Sequence, residues 1–389
     1  MKNLRKNKSG ISLIVLVITI IVMIILAAAI ILSLSNSGII SKANKAKTDS
    51  DTANLKEYVN TLRAEWELMT AEEQTAAGSF VDYANKKLEA NGYNVMLSDD
   101  GVLMNEAATA AVKAGIKVGD TVTGYTLDVA TYTTDGSENT CDAKKQEETD
   151  PQPQEVTANT QLRWKYLGVN ANGELEIMAD LGTTEVAANT KVTLGGKGGY
   201  LKGPDMLNTI CEKLYSKDGV GTARNMNIDD VNNILGYIGE KGSYYYIDDE
   251  YTPTKEAKTI ATLESELGMT LDGRTTPDGK DLGMYYLDYY NISRTDDVKK
   301  MKKPGNVDLV YNAKNEYWLA SPCVSAMFFG NMASFSVRSV NSAAVGENGM
   351  FSSYDYFAGH TYALRPVVTL NSNVKLTPNA DKTEWEIKK

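Results

Sequence analysis

Tyr354, Tyr356, Phe357 and Tyr362 lie within nine residues, interleaved with Ser352, Ser353, Asp355 and His360. Aromatic rings give broad, stiff contact surfaces and short polar groups give adaptable hydrogen bonds, so this mixture suits recognition better than bond-breaking. The same side-chain types occur upstream as Ser325, Phe328, Phe329, Ser334, Ser336, Ser339, Asn341 and Asn348. Between them runs an apolar frame of Phe335, Val337, Val340, Val345, Met350 and Phe351. Strand alternation puts the polar and aromatic set on the face opposite the frame, or in loops. Together these sixteen residues are the expected ligand-binding face.

Residues for bond-breaking chemistry are scarce. His360 is the only histidine, which excludes a histidine-based metal cluster or an H-E-x-x-H site. A serine triad would need that histidine, and no G-x-S-x-G elbow accompanies it. Gly195-Gly196-Lys197-Gly198-Gly199 lacks the G-x-x-x-x-G-K-[ST] spacing of a phosphate loop and reads as a flexible turn. Asp272, Asp278 and Asp281 lie among glycines without the calcium-loop pattern and read as a turn-rich loop. No catalytic residue, metal or cofactor is assigned, and the chain is not read as an enzyme. Arg338 and Arg365, set among apolar residues, read as structural donors to backbone carbonyls or carboxylates. Tyrosine-dense stretches at Tyr244 to Tyr251 and Tyr285 to Tyr290 read as strand or loop packing.

Formal net charge is −10, and setting aside the positive charges of Lys2, Arg5, Lys6 and Lys8 leaves −14. So acidic a chain, without a basic patch, is not expected to bind nucleic acid. Its three cysteines, Cys141, Cys211 and Cys323, leave at least one unpaired. Cys141 sits in a polar stretch; Cys211 and Cys323 have apolar neighbours, and whether they are bridged stays open.

Several elements must position the recognition residues. Leu55, Tyr58, Val59, Leu62, Trp66 and Met69 recur at three- and four-residue steps and predict an amphipathic helix. A further helix begins near Phe80 and ends at Asn91-Gly92. Tyr93 to Met104 reads as a hairpin about Ser98-Asp99-Asp100-Gly101, and Thr121 to Val129 as a strand. Residues 133–160 are polar, carry Pro151 and Pro153, and read as a linker. Beyond them, Leu162 to Val169 and Glu174 to Ala179 flank Asn170-Ala171-Asn172-Gly173 as a hairpin. Helices are expected over Pro204 to Tyr215 and Asn227 to Leu235.

At the other end of the chain, the basic leader meets 24 uncharged residues, Ile11 to Leu34. As a helix this run is about 36 Å long, enough for a hydrocarbon core of about 30 Å. The sequence KNKSG followed by ISLIVLVITIIVMIILAAAIIL resembles the prepilin signal of type IV pilins and pseudopilins, over roughly residues 1 to 70. The resemblance implies cleavage by a membrane prepilin peptidase between Gly10 and Ile11, and methylation of the new N-terminus. Val15 stands where that family carries the glutamate that neutralises a neighbouring subunit's terminal amine. The positive-inside rule then keeps the leader cytoplasmic and puts the chain after about Ser41 outside.

A second resemblance rests on Tyr317-Trp318-Leu319-Ala320-Ser321, Phe335-Ser336-Val337-Arg338-Ser339-Val340 and Leu364-Arg365-Pro366-Val367-Val368-Thr369-Leu370. This pattern resembles C-type-lectin-like domains of the formylglycine-generating-enzyme branch, which includes variable proteins diversified by retroelements. There the binding face is drawn from adenine-rich codons, which yield the residue types found here. Met327, Met332 and Glu347 would belong to the frame. Cys211 and Cys323 occur in motifs unrelated to that enzyme family's copper-linked cysteine pair.

These readings predict an α+β chain with a long N-terminal pilin-like helix carrying a membrane segment, a small α/β module and a C-terminal C-type-lectin-like domain. The expected divisions are a leader at 1–10, the helix at 11–70, the module at 71–132, the linker at 133–160 and the ligand-binding domain at 161–389. The expected function is a cell-surface, pilin-like protein displaying an adhesin or receptor domain, diversified through residues about 325–362. A structural minor pilin or pseudopilin is the alternative, and an enzyme of formylglycine-generating type ranks below it. Expected partners are the membrane through Ile11–Leu34, the prepilin peptidase, other pilin-like subunits, and a protein or glycan ligand. The expected location is the cell membrane with an extracytoplasmic head, or a surface filament.

Overall fold

The computed structural model describes residues 39–140, 151–182, 186–239, 292–312, 314–326, 333–352 and 359–388; side chains at 39–49, 197, 324–326, 333–335 and 351–352 are not described. One compact unit ends at Gly92 and a second begins at Tyr93.

In the first unit, α1 (Ile39–Glu67), α2 (Ala71–Ala77) and α3 (Phe80–Ala90) follow one another. Thr70 and Ser79 start α2 and α3 with reciprocal caps to Glu73 and Asp82, which satisfy backbone N–H groups that a helix start leaves open. The stripe from Leu55 to Trp66 is the less exposed side of α1, with Val59 and Leu62 buried, and Met69 lies beyond the helix end. Trp66 meets Phe80 edge-on at 6.2 Å, and the Arg63 guanidinium lies 4.1 Å from the Phe80 ring centre. Asn91-Gly92, with Gly92 at φ 77°, ends the unit's last helix.

In the second unit, strands are numbered in chain order. A seven-stranded sheet runs β14 (Lys375–Pro378), β15 (Glu384–Lys388), β1 (Thr121–Thr123), β4 (Arg163–Val169), β5 (Leu175–Asp180), β13 (Pro366–Leu370), β7 (Gly221–Asn225). A six-stranded sheet runs β6 (Lys191–Gly195), β12 (Gly359–Ala363), β9 (Tyr317–Ala326), β10 (Ala333–Val340), β11 (Ala344–Ser352), β8 (Ile292–Ser293). A separate pair joins β2 (Thr131–Thr133) to β3 (Glu155–Thr157). The helices are α4 (Glu106–Ala114), α5 (Gly196–Leu201), α6 (Gly203–Tyr215), α7 (Ile228–Leu235) and α8 (Val307–Tyr311).

The expected fold class needs correction. Among the described residues no helix is long and apolar enough to cross a membrane. The apolar run Ile11–Leu34 and the Gly10–Ile11 junction lie outside the described residues. What is described of the N-terminal helix, α1, carries Lys42, Lys45, Lys47, Asp49 and Asp51 and is polar. The chain is α+β with a mostly β C-terminal region, and the stretch 71–132 read as one module is divided at Gly92–Tyr93 between the two units. Val122 pairs with Trp385 in parallel and with Trp164 in antiparallel register, so residues near 121 complete the large sheet. Val156, inside the stretch read as a linker, is fully buried beside the β2–β3 pairing. Glu138 in the same stretch is buried too, its carboxylate accepting from Gln154 Nε2 at 2.7 Å.

Two polar groups tie the sheets together. Asn225, at the end of β7, donates to the carbonyls of Trp318 at 2.8 Å and Met226 at 3.1 Å, and accepts the Arg365 amide at 2.9 Å. Arg365, 3% exposed, donates through Nε to the Ala179 carbonyl at 3.2 Å, and through its terminal nitrogens to the Leu309 carbonyl at 2.5 Å and the Tyr317 hydroxyl at 2.7 Å. The guanidinium also lies 4.8 Å from the Tyr317 ring centre. Among the described residues no carboxylate pairs with it, so carbonyl dipoles and a ring face hold a buried cation. Arg338 is buried as well. Cys211 and Cys323 are buried thiols and are not bridged to each other.

Candidate functional site

Within β12, His360 and Tyr362 are two residues apart and so share a face. Their rings stack at 6.0 Å with 21° between planes, and both side chains are half-buried. Tyr362 meets Trp318 of β9 edge-on at 4.7 Å. Trp318 itself is fully buried and donates from its indole to the Val192 carbonyl at 2.8 Å, which fixes the ring against β6. Opposite, the Tyr362 hydroxyl donates to Asn348 Oδ1 at 3.0 Å, and Asn348 Nδ2 donates to Ser339 Oγ at 2.5 Å. Three strands therefore clamp one tyrosine: β9 by ring packing, β11 by an amide, and β10 by the serine that orients that amide.

Asn348 is half-buried and retains one amide hydrogen and one lone pair after these bonds. Burial lowers the His360 pKa, against the opposing influence of the Gly349 carbonyl and Glu316. The imidazole is thus neutral at neutral pH. Burial and then the Glu316 carboxylate push the Tyr362 phenol up to about 12. The patch offers a neutral aromatic pair, an amide and one nearby carboxylate. Among its described side chains the patch holds no nucleophile–base pair.

Four of the sixteen expected residues are thereby brought together: Ser339, Asn348, His360 and Tyr362. Ser336 and Ser339 lie inside, at 0% and 5% exposure, because β10 is a central strand covered on both faces. Ser339 orients Asn348, and neither serine lies at the surface. Asn341 uses its side chain in the β10–β11 turn, accepting the amides of Ala343 at 2.8 Å and Ala344 at 2.9 Å. Ser325, Ser334 and Ser352 fall in β9, β10 and β11, where only the backbone is described. Phe328, Phe329, Ser353, Tyr354, Asp355, Tyr356 and Phe357 lie outside the described residues. So do the tyrosine-dense stretches and the Asp272–Asp281 loop.

The glycine run read as a turn begins the short helix α5, which packs closely on its surroundings. A Cβ on Gly198 would overlap the Ser137 carbonyl oxygen, so that position admits no side chain. Sequence reasoning passed over Glu316, which directly precedes β9, because a lone exposed carboxylate carries no pattern. It also passed over a cluster on the large sheet. Arg224 binds Asp230 with two bonds of 2.6 and 2.8 Å and Glu176 with bonds of 3.1 and 3.2 Å. Thr369 donates to Glu176 at 2.9 Å. Asp230 also closes the cap of α7, so the cluster locks a helix start onto the sheet.

Burial holds the Glu176 carboxyl above its ordinary 4.5, against the pull of Arg224. A raised folded-state pKa contributes stability that is full below the unfolded value and lost as pH rises through the folded one. Glu176→Gln should therefore gain in urea midpoint relative to the parent as pH goes from about 4 to about 7. A constant offset across that range would contradict this assignment.

A cleft of about 230 Å³ is lined by Lys165, Asp180, Asp308 and Arg365 among others. It is no anion site, since the Arg365 N–H groups are already engaged and Lys165 Nζ lies 3.8 Å from Asp180. Among the described residues no group of three or more His, Cys, Asp or Glu could hold a metal ion. No family model matches the chain, and no curated protein or solved structure shows significant similarity to it.

Proposed function

We propose that this chain is a recognition protein whose six-stranded sheet presents Tyr362, His360 and Asn348 to a ligand outside the cell. The observation that carries the reading is the Trp318–Tyr362–Asn348–Ser339 chain of contacts, which fixes a half-exposed aromatic and an amide on a rigid frame. Preorganised groups of this kind lose little freedom on binding. The basic leader and apolar run support tethering to a membrane, with the rest of the chain outside. The residue types at the face support diversification of the gene. A reverse transcriptase gene beside a near-copy of the segment encoding Phe328 to Arg365, differing at adenines, would be its mark. The leader also favours a second reading as a minor pilin, against which Val15 counts.

Placement of the face outside the cell is tested by Thr361→Cys in a Cys141→Ser background, in cells producing the full chain. Thr361 is exposed next to both ring residues, whereas Cys211 and Cys323 are buried. A membrane-impermeant maleimide should label intact cells as fully as lysed ones. Labelling only after lysis would contradict extracellular display.

A further inference from the structure

We infer that the ligand's anchoring group is the guanidinium of an arginine in a basic protein segment, held against the Tyr362–His360 rings and the Glu316 carboxylate. The inference rests on the recognition reading above and adds the chemistry of the ligand. Three observations converge on it. First, the stacked pair offers planar π surface at half exposure, to which a guanidinium is drawn both by charge and by shape. Second, Glu316 is exposed, its backbone carbonyl accepts the Ala363 amide at 3.0 Å next to Tyr362, and its carboxylate has no cationic partner among the described residues. Third, the face carries no competing positive charge among its described side chains. Lys191 pairs with Ala363 in the β6–β12 ladder, so alternation turns it to the side away from Tyr362. A neutral His360 adds ring surface without repelling a cation. The formal net charge of −10 draws basic segments towards the chain at long range.

Arginine also fits better than lysine here. Its planar group stacks and donates two parallel hydrogen bonds to one carboxylate, whereas an ammonium is a compact, strongly hydrated point charge. The free lone pair on Asn348 adds an acceptor within the same patch.

Because His360 is the only histidine, its imidazole resonance in the full chain reports this patch alone. The probes are acetyl-Gly-Arg-Gly-amide and the same peptide with citrulline, which is isosteric and uncharged. The arginine peptide should shift the resonance saturably, and citrulline should bind at least about tenfold more weakly. Glu316→Gln should weaken the arginine peptide by about fivefold, with a circular dichroism spectrum like the parent's showing that the variant is folded. Equal shifts by both peptides, no shift by either, or an unaffected Glu316→Gln variant would overturn the inference. A random dodecapeptide display library selected on the full chain separates the two levels of the argument. Neutral or acidic winners that shift His360 would overturn the arginine assignment and leave the recognition reading standing. Winners that leave His360 unshifted would overturn both.

Discussion

Replacing Arg365 with methionine is expected to lower the unfolding free energy by about 3–5 kcal/mol. Buried ion pairs are often replaceable by apolar groups at little cost, because both partners can be exchanged together. Arg365 differs: its acceptors are the backbone carbonyls of Ala179 and Leu309 and the hydroxyl of Tyr317, and no side-chain substitution removes the carbonyls. Methionine fills much of the volume but leaves these acceptors without a donor in the interior, at about 1–3 kcal/mol each. The gain from no longer burying a cation offsets only part of that loss. Since Arg365 also starts the chain into β13, whose Val367 and Val368 are fully buried, the defect lies at the centre of the unit. Urea unfolding of the full chain should show a clearly lower midpoint. An unchanged midpoint would mean that water satisfies those carbonyls and that the cation is dispensable.

Asn348→Ala is expected to reduce ligand affinity by about 10- to 100-fold while costing only about 1 kcal/mol of stability. The asymmetry follows from where the amide sits. It is half-buried, so water replaces it as a partner for the Ser339 hydroxyl and the Tyr362 hydroxyl. For the ligand, however, the loss is double: an amide contact disappears, and Tyr362 loses the bond that orients it from the side opposite Trp318. Titration calorimetry with a library-selected ligand and a thermal melt of the same sample read the two quantities. Parallel loss of affinity and melting temperature would show that Asn348 serves the fold and not the site.

Much of the scaffold was legible in local chemistry. Met206, Leu207, Ile210, Cys211 and Leu214 announce α6 by their spacing, and four of the five are buried as that spacing requires. Asn227 with Asp230 marks the start of α7, and the reciprocal cap is there. Asn170 to Gly173 joins β4 to β5, with Gly173 at φ 76°. The helix α4 gave no such sign, because a run of alanines has little apolar contrast to show a period. Nor could local pattern reveal that β1 lies beside β15, some 260 residues away. That pairing is what brings Thr121–Thr123 into the large sheet, and Val122 and Val156 then share one core.

Residue types pointed to candidate positions on these strands but not to their depth. Ser336 and Ser339 look like outward positions, because small polar residues alternating with valines suggest a half-exposed strand. The strand is central, and both its faces are covered, so alternation no longer separates inside from outside. What brings Asn348 to Tyr362 is the order β12-β9-β10-β11, a tertiary fact with no local signature. Glu316 acquires meaning only once β9 is seen next to β12, at the pairing of Tyr317 with Ala363.

A ligand on the proposed face of His360, Tyr362 and Asn348 would shield the imidazole from carbethoxylation by diethyl pyrocarbonate, read by mass spectrometry on the full chain with and without a library-selected ligand. Protection of His360 should rise with ligand occupancy and approach completion at saturation. Modification at an unchanged rate with ligand saturating would place the binding surface elsewhere and contradict the account.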